Sequence, residues 1–214
     1  MTRLVKYITE GNLEEVFSKI RKGCGPILRE LRGTGLNIPL LHRGINVGGM
    51  DLDKEVLLRK KVRSDRSPMN TDPIISEGLD KLFKEKFGWK PRSEGVFVSG
   101  SSSGIYYGPN FYIFPIGKYK YIWSTHINDL YTDDYLWDLT DEYNAEERKK
   151  FKKEGIVGEK KLEIFKEKYL HTYKDDDLDK GIRSDNEIMF KCSEYYGVYS
   201  KAVSEKEMVK GLRL

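Results

Sequence analysis

Three short apolar pieces each carry one polar residue of a type that does chemistry. They are Arg43 in LLHRGI (40–45), Ser99 in VFVSGSSSGIYYG (96–108) and Glu187 in SDNEIMF (184–190). An arginine forks onto anionic oxygens in a planar two-point grip that lysine matches less well. A carboxylate in a water-poor setting stabilises positive charge developing beside it. A serine adds a neutral hydrogen bond to a partner side chain or a ligand hydroxyl. In apolar company all three are costly unless they meet one another or a ligand.

Singly, each also has a plain structural account. An RG pair after apolar residues is a turn in which Gly44 relieves backbone crowding. SGSSSG is a loop built from turn residues. A glutamate opening a strand solvates a sheet edge. Their order along the chain is what lifts them above these readings.

The elements around them follow from hydrophobic spacing. Residues 10–32 read as helical, with Asn12 as N-cap, Glu15 at the capping-box position, and Leu13, Val16, Phe17 and Ile20 on one face. Gly23 and Gly25 interrupt this pattern and Pro26 restarts it. IPLLHRGINV reads as a buried strand. The stretch KEVLLRKKVRSDRSPMNTDP crowds Arg59, Lys60, Lys61, Arg63 and Arg66 together, either as a solvated face or as an anion-facing segment. Ile75, Leu79, Leu82, Phe83 and Phe87 predict a helix ended by Gly88. FYIFPIGKYKYIWS predicts aromatic-rich strands with a half-buried face and an outward basic face. Residues 133–180 are strongly charged with helical spacing at Leu162, Phe165 and Tyr169, which predicts a surface helical insertion ending in a flexible acidic DDDLDK. NEIMFKCSEYYGVYSKAV alternates as a strand and a hairpin partner. The expectation is one α+β domain over 1–214, with a helical N-terminal segment at 1–36 and the insertion at 133–180.

Composition bounds the class. Hydrophobic content of 38% with fourteen Tyr, nine Phe and three Trp supplies the packing mass that disordered chains lack. A formal charge of +4 is too small to announce a nucleic-acid binder by itself, although a local basic patch remains compatible with it. Cys24 and Cys192 lie far apart in sequence and form no metal-ligand spacing, and the three histidines are scattered, so no metal is expected. With no apolar N-terminal run and no window near the ~20 residues of a membrane span, a cytoplasmic protein with no membrane partner is expected. Cys192 reads as a small core residue, and Asp129, Asp133 and Asp134 as a solvated turn.

Jointly, the three pieces resemble the ADP-ribosyltransferase family, in its arginine–serine–glutamate branch. That family sets an arginine on an early strand, often as RG after apolar residues, then a Ser-x-Ser element, then a glutamate on a late strand. Arg43, the Ser99–Ser101 pair and Glu187 match in order across roughly residues 38–200. The resemblance implies a mixed, mostly antiparallel split sheet and a stand-alone mono-ADP-ribosyltransferase, of the kind found in toxins and bacteriophages. It also implies NAD as co-substrate and a protein or nucleic-acid acceptor. Glu187 would hold the ribose hydroxyls as oxocarbenium character builds at the anomeric carbon. Arg43 would take phosphate or ribose oxygens, together with Arg63 or Arg66. Ser99 would fix the glutamate or the ribose, with His42, Gly44 and Ser101 lining the NAD site and Tyr106 or Tyr107 stacking on nicotinamide.

Two positions depart from the family pattern: Gly100 stands where Thr is usual, and Asp185 stands where Glu or Gln helps select the acceptor. His42 also competes with Arg43, because a sister branch uses a histidine on this strand and neighbouring strand residues face opposite ways. Arg43 is favoured. Two further classes fit the same residues. One is a non-catalytic domain binding NAD, ADP-ribose or a partner protein. The other is a single-strand nucleic-acid binder using Arg59, Lys60, Lys61, Arg63 and Arg66 with Tyr119, Tyr121 and Trp123.

Overall fold

The computed structural model describes residues 10–49, 51–52, 55–63, 72–102, 107–130 and 139–214. The chain opens with helix α1 (Glu10–Gly23) and, after a break at Cys24, helix α2 (Gly25–Gly33) with Pro26 in its first turn. The first helix begins two residues ahead of Asn12, so that residue is not its N-cap. Next come β1 (His42–Gly44), β2 (Leu57–Lys61), α3 (Pro73–Phe87), α4 (Pro91–Glu94), β3 (Val96–Val98), β4 (Asn110–Pro115) and β5 (Lys120–Ser124). Helices α5 (Ala145–Glu154) and α6 (Val157–Lys168), β6 (Tyr173–Lys174), α7 (Leu178–Ser184), β7 (Ile188–Lys191), β8 (Glu194–Tyr199) and α8 (Glu205–Leu212) complete it.

Local chemistry accounts for several boundaries. Asp72 caps α3 by accepting from the Ile74 amide at 2.8 Å, and Gly88 ends it in the left-handed region at φ 78°. Asn144 and Glu147 form a reciprocal capping box at the start of α5. Replacing Asn144 by alanine is expected to cost about 1 kcal/mol in a urea melt.

Among the described residues the strands form two four-stranded sheets, ordered β1-β4-β8-β2 and β3-β7-β5-β6, with every ladder antiparallel rather than mixed. β7 and β8 fall in different sheets, so the hairpin expected of them does not form. The two sheets touch where His42, on β1, pairs with Ser99, just past β3. The chain is therefore an α+β protein with two antiparallel sheets.

Two apolar cores explain why several strands show no alternation. In the second sheet Val96, Val98, Tyr121, Trp123, Ile188 and Phe190 face a core shared with α1, α2 and α8. Phe97, Ile122 and Met189, on the other face, meet a core built from α3, α5 and α6. A sheet covered on both sides reads as a continuous apolar run. The outward basic face expected for the aromatic strands is accordingly absent from β5: Tyr121, Ile122, Trp123 and Ser124 are all buried.

The 133–180 segment also differs from expectation. Among its described residues, Phe151, Ile164 and Phe165 are buried in the second core, with Phe83 edge-on to Phe165 at 5.8 Å. The outer face of the second sheet needs this cover, and the lysines and glutamates lie on the opposite side of the same helices. The acidic DDDLDK end is built into the structure as well. Trp123 Nε1 donates to the Asp176 carbonyl at 2.8 Å, Lys180 pairs with Asp177, and α7 begins at Leu178.

Candidate functional site

Arg43, Ser99 and Glu187 lie on or beside three neighbouring strands. β1 meets the end of β3 through two main-chain bonds, His42 N to Ser99 O at 2.8 Å and Ser99 N to His42 O at 3.0 Å. β3 pairs with β7 in the register Val96–Phe190, Phe97–Met189, Val98–Ile188. Continued by one residue, that register sets Glu187 across from Ser99. The Glu187 amide donates to the Asn128 carbonyl at 2.6 Å, while the Ser99 amide and carbonyl are both taken by His42. Glu187 is half-buried and its Oε2 lies out of solvent.

Adjacent residues of β1 go separate ways. The half-buried Arg43 turns to β3, where Nη1 donates to the Phe97 carbonyl at 2.6 Å. His42 is only 3% exposed and packs edge-on against Tyr112, with Nδ1 3.1 Å from Asn110 Nδ2 and Nε2 3.8 Å from Glu205 on α8. Gly44 pairs with Asn110 across β4.

Burial pushes the His42 pKa down, against smaller upward pulls from Glu205, Asn110 and Asp185. A histidine held neutral in the fold favours the native state fully above its unfolded pKa, and that contribution fades as pH falls toward the folded value. Thermal stability is therefore expected to fall as pH drops below about 6.5, the unperturbed histidine value, and His42→Gln to flatten that fall.

Ser99 closes a tight turn by donating to the Ser101 carbonyl at 2.6 Å. Between them, Gly100 lies under α7 so closely that a Cβ there would sit 1.8 Å from the Ile182 carbonyl oxygen. A threonine side chain therefore has no room between Ser99 and Ser101. The same helix ends at Asp185, exposed and left-handed at φ 58°. Next to it, Asn186 ties the approach to Glu187 through Nδ2 to the Ser124 carbonyl at 2.8 Å.

Of the other residues expected at the site, Tyr107 is 65% exposed, and Tyr106 and Arg66 lie outside the described residues. Arg63 is not near the three strands' shared end. It lines a separate open cleft, of about 1270 Å³, with Lys191 and Cys192 at the far end of β7, roughly 13 Å along the strand from Glu187. That cleft contains none of Arg43, Ser99 and Glu187. The cation that does approach Arg43 is Lys60, whose pKa is lowered by burial first and by the Arg43 charge second. Its Nζ donates to the Asn46 carbonyl at 3.3 Å.

Sequence reasoning gave no role to Asn110 or Asn186, each of which finds its partner more than sixty residues away in the chain. The Cys24 and Cys192 thiols are both pushed up to about 12 by burial, which makes them poor nucleophiles at neutral pH. Among the described residues no cluster of three or more His, Cys, Asp or Glu is arranged to hold a metal, and no helix is long and apolar enough to cross a membrane.

The register sets Ser99 across from Glu187, with His42 next in line across the bridge, while Arg43, one residue along β1, is directed to the Phe97 carbonyl and coupled to the Lys60 charge. Compared with protein-family models, curated proteins and solved structures, the chain shows no significant match to any of them.

Proposed function

We propose that the chain is a mono-ADP-ribosyltransferase that moves ADP-ribose from NAD to a macromolecular acceptor. The observation that carries this reading is adjacency. Residues that follow one another as Arg43, Ser99 and Glu187 in sequence stand on or beside strands that are direct neighbours, β1 to β3 to β7. Two antiparallel sheets that meet at His42 and Ser99 are compatible with the split sheet the resemblance implies.

In the reaction, the bond between the ribose anomeric carbon and the nicotinamide nitrogen breaks. Nicotinamide leaves with the bonding pair and becomes neutral. An acceptor nucleophile forms the new bond to the anomeric carbon and loses its proton to solvent. Glu187 hydrogen-bonds the ribose hydroxyls and stabilises the developing oxocarbenium charge, an effect strengthened because Oε2 lies out of water. Arg43 and Lys60 face the pyrophosphate, and the Ser99 turn fixes the sugar's approach. The exposed Asp185, two residues before Glu187, is set where it can meet an acceptor.

The test is incubation with NAD labelled on the adenylate, together with separate protein, RNA and DNA pools. Label appearing in one pool, and lost with Glu187→Ala, is the expected result. No labelled pool and no nicotinamide release would reject the reading and leave a non-catalytic ligand-binding domain.

A further inference from the structure

The second cleft lies at the opposite end of the sheets from Glu187, framed by the turn from β4 to β5 and the turn from β7 to β8. The start of α2 and the end of α3 close its sides. Its lining includes Tyr119 between Lys118 and Lys120, Arg63 on another wall, and the apolar Phe87 and Ile116.

The structure sorts the basic and aromatic residues that sequence alone could only group. Trp123 is 2% exposed and its ring nitrogen is bonded, so it cannot stack on a ligand. Tyr121 is buried behind Tyr119, with the rings 6.5 Å apart and 29° from parallel. Arg59 forks onto Glu194, and Lys60 is turned toward Arg43 and Asn46. Tyr119 is the half-buried ring that remains at the cleft, and its hydroxyl donates to Glu30, which fixes the ring in place. Lys118 and Lys120, its neighbours in sequence, are exposed and line the same cleft.

Three carboxylates also line this cleft, and two of them are engaged. Glu30 accepts from Tyr119, and Glu94 holds Lys191 at 2.7 Å. Asp175, which is exposed, is the third. The cleft is open, and its volume exceeds what one drug-sized ligand fills. An extended ligand with alternating planar and anionic groups matches an oriented ring flanked by cations, and a ring already held in position loses little freedom on binding.

We propose that this cleft binds single-stranded nucleic acid, with a base laid on Tyr119 and neighbouring phosphates on Lys118, Lys120 and Arg63. This binding requires no part of the NAD chemistry, so either can fail without the other.

The test is fluorescence anisotropy with a labelled single-stranded oligonucleotide of about ten bases, in DNA and RNA forms, over a range of salt, with adenosine monophosphate and duplex DNA as competitors. Three phosphate contacts predict a slope of log K against log salt near −2. Lys118→Glu/Lys120→Glu, on exposed positions, is expected to weaken binding about tenfold or more and to flatten the slope by more than about 1. Tyr119→Leu, which keeps apolar volume but removes the stacking face, is expected to weaken it about tenfold with the salt slope unchanged. Nicotinamide release by the double lysine variant is expected to match the wild type. Absence of salt-dependent binding, wild-type affinity in the lysine variant, or competition by the mononucleotide as effective as that by the oligonucleotide would each overturn the proposal.

Discussion

Glu187→Gln is expected to lower nicotinamide release from NAD by roughly 100- to 1,000-fold, with the circular dichroism spectrum and melting transition preserved. Glutamine keeps the volume and one carbonyl acceptor but removes the negative charge. The loss therefore falls on stabilisation of the oxocarbenium ion rather than on packing. Because the Glu187 amide is anchored to the Asn128 carbonyl and Ile188 is locked opposite Val98, the substitution leaves the backbone where it is. NAD affinity should change far less than turnover, since the charge develops only as the glycosidic bond lengthens. Equal rates for variant and wild type would remove Glu187 from the chemistry.

Gly100→Thr is expected to destabilise the protein by about 3 kcal/mol or more, lowering the melting temperature by roughly 6–12 °C. The substitution would make the motif more like that of the resembled family, yet a Cβ at this position meets the Ile182 backbone oxygen at 1.8 Å. Backbone cannot step aside as a flexible side chain can, so either α7 moves or the Ser99–Ser101 turn opens. Since α7 leads directly into Asp185 and Glu187, activity should fall along with stability. The exposed Ser102 supplies the control: Ser102→Thr should melt within about 0.5 kcal/mol of the wild type. An unchanged melting temperature for Gly100→Thr would show that the close approach of α7 is wrong.

How much of this was legible in the sequence depends on whether the cause was local. The helix Pro73–Phe87 and its glycine stop are written in residues within a few positions of each other, and the structure bears both out. The break between α1 and α2 is similarly local. The hairpin expected of β7 and β8 does not form, because each strand pairs with partners from distant parts of the chain, β7 with β3 and β5 and β8 with β2 and β4. The burial of β5 was not legible, because its second face is covered by α3 from well before it in the chain and by α5 and α6 from well after it. For the same reason a charged stretch at 145–168 read as surface decoration when its sparse apolar residues complete a core. The steric demand at Gly100 comes from a carbonyl 82 residues away, and no local pattern encodes it. For the candidate site, the order of Arg43, Ser99 and Glu187 was visible, but the adjacency of the strands that carry them was not, because it rests on pairings between β1, β3 and β7 that are far apart in the chain. The exchange of Arg63 for Lys60 beside Arg43 was not visible. Both residues belong to one basic run, and only the register of β2 against β8 separates them.

The most direct test of the central claim is nicotinamide release by the purified chain, followed chromatographically over time with NAD alone and with each acceptor pool. The account requires release above the uncatalysed background by the wild type, lost with Glu187→Gln and strongly reduced with Arg43→Lys, which keeps the charge but not the fork. Release that is absent from the wild type under every condition, or that persists undiminished without the Glu187 charge, would contradict it.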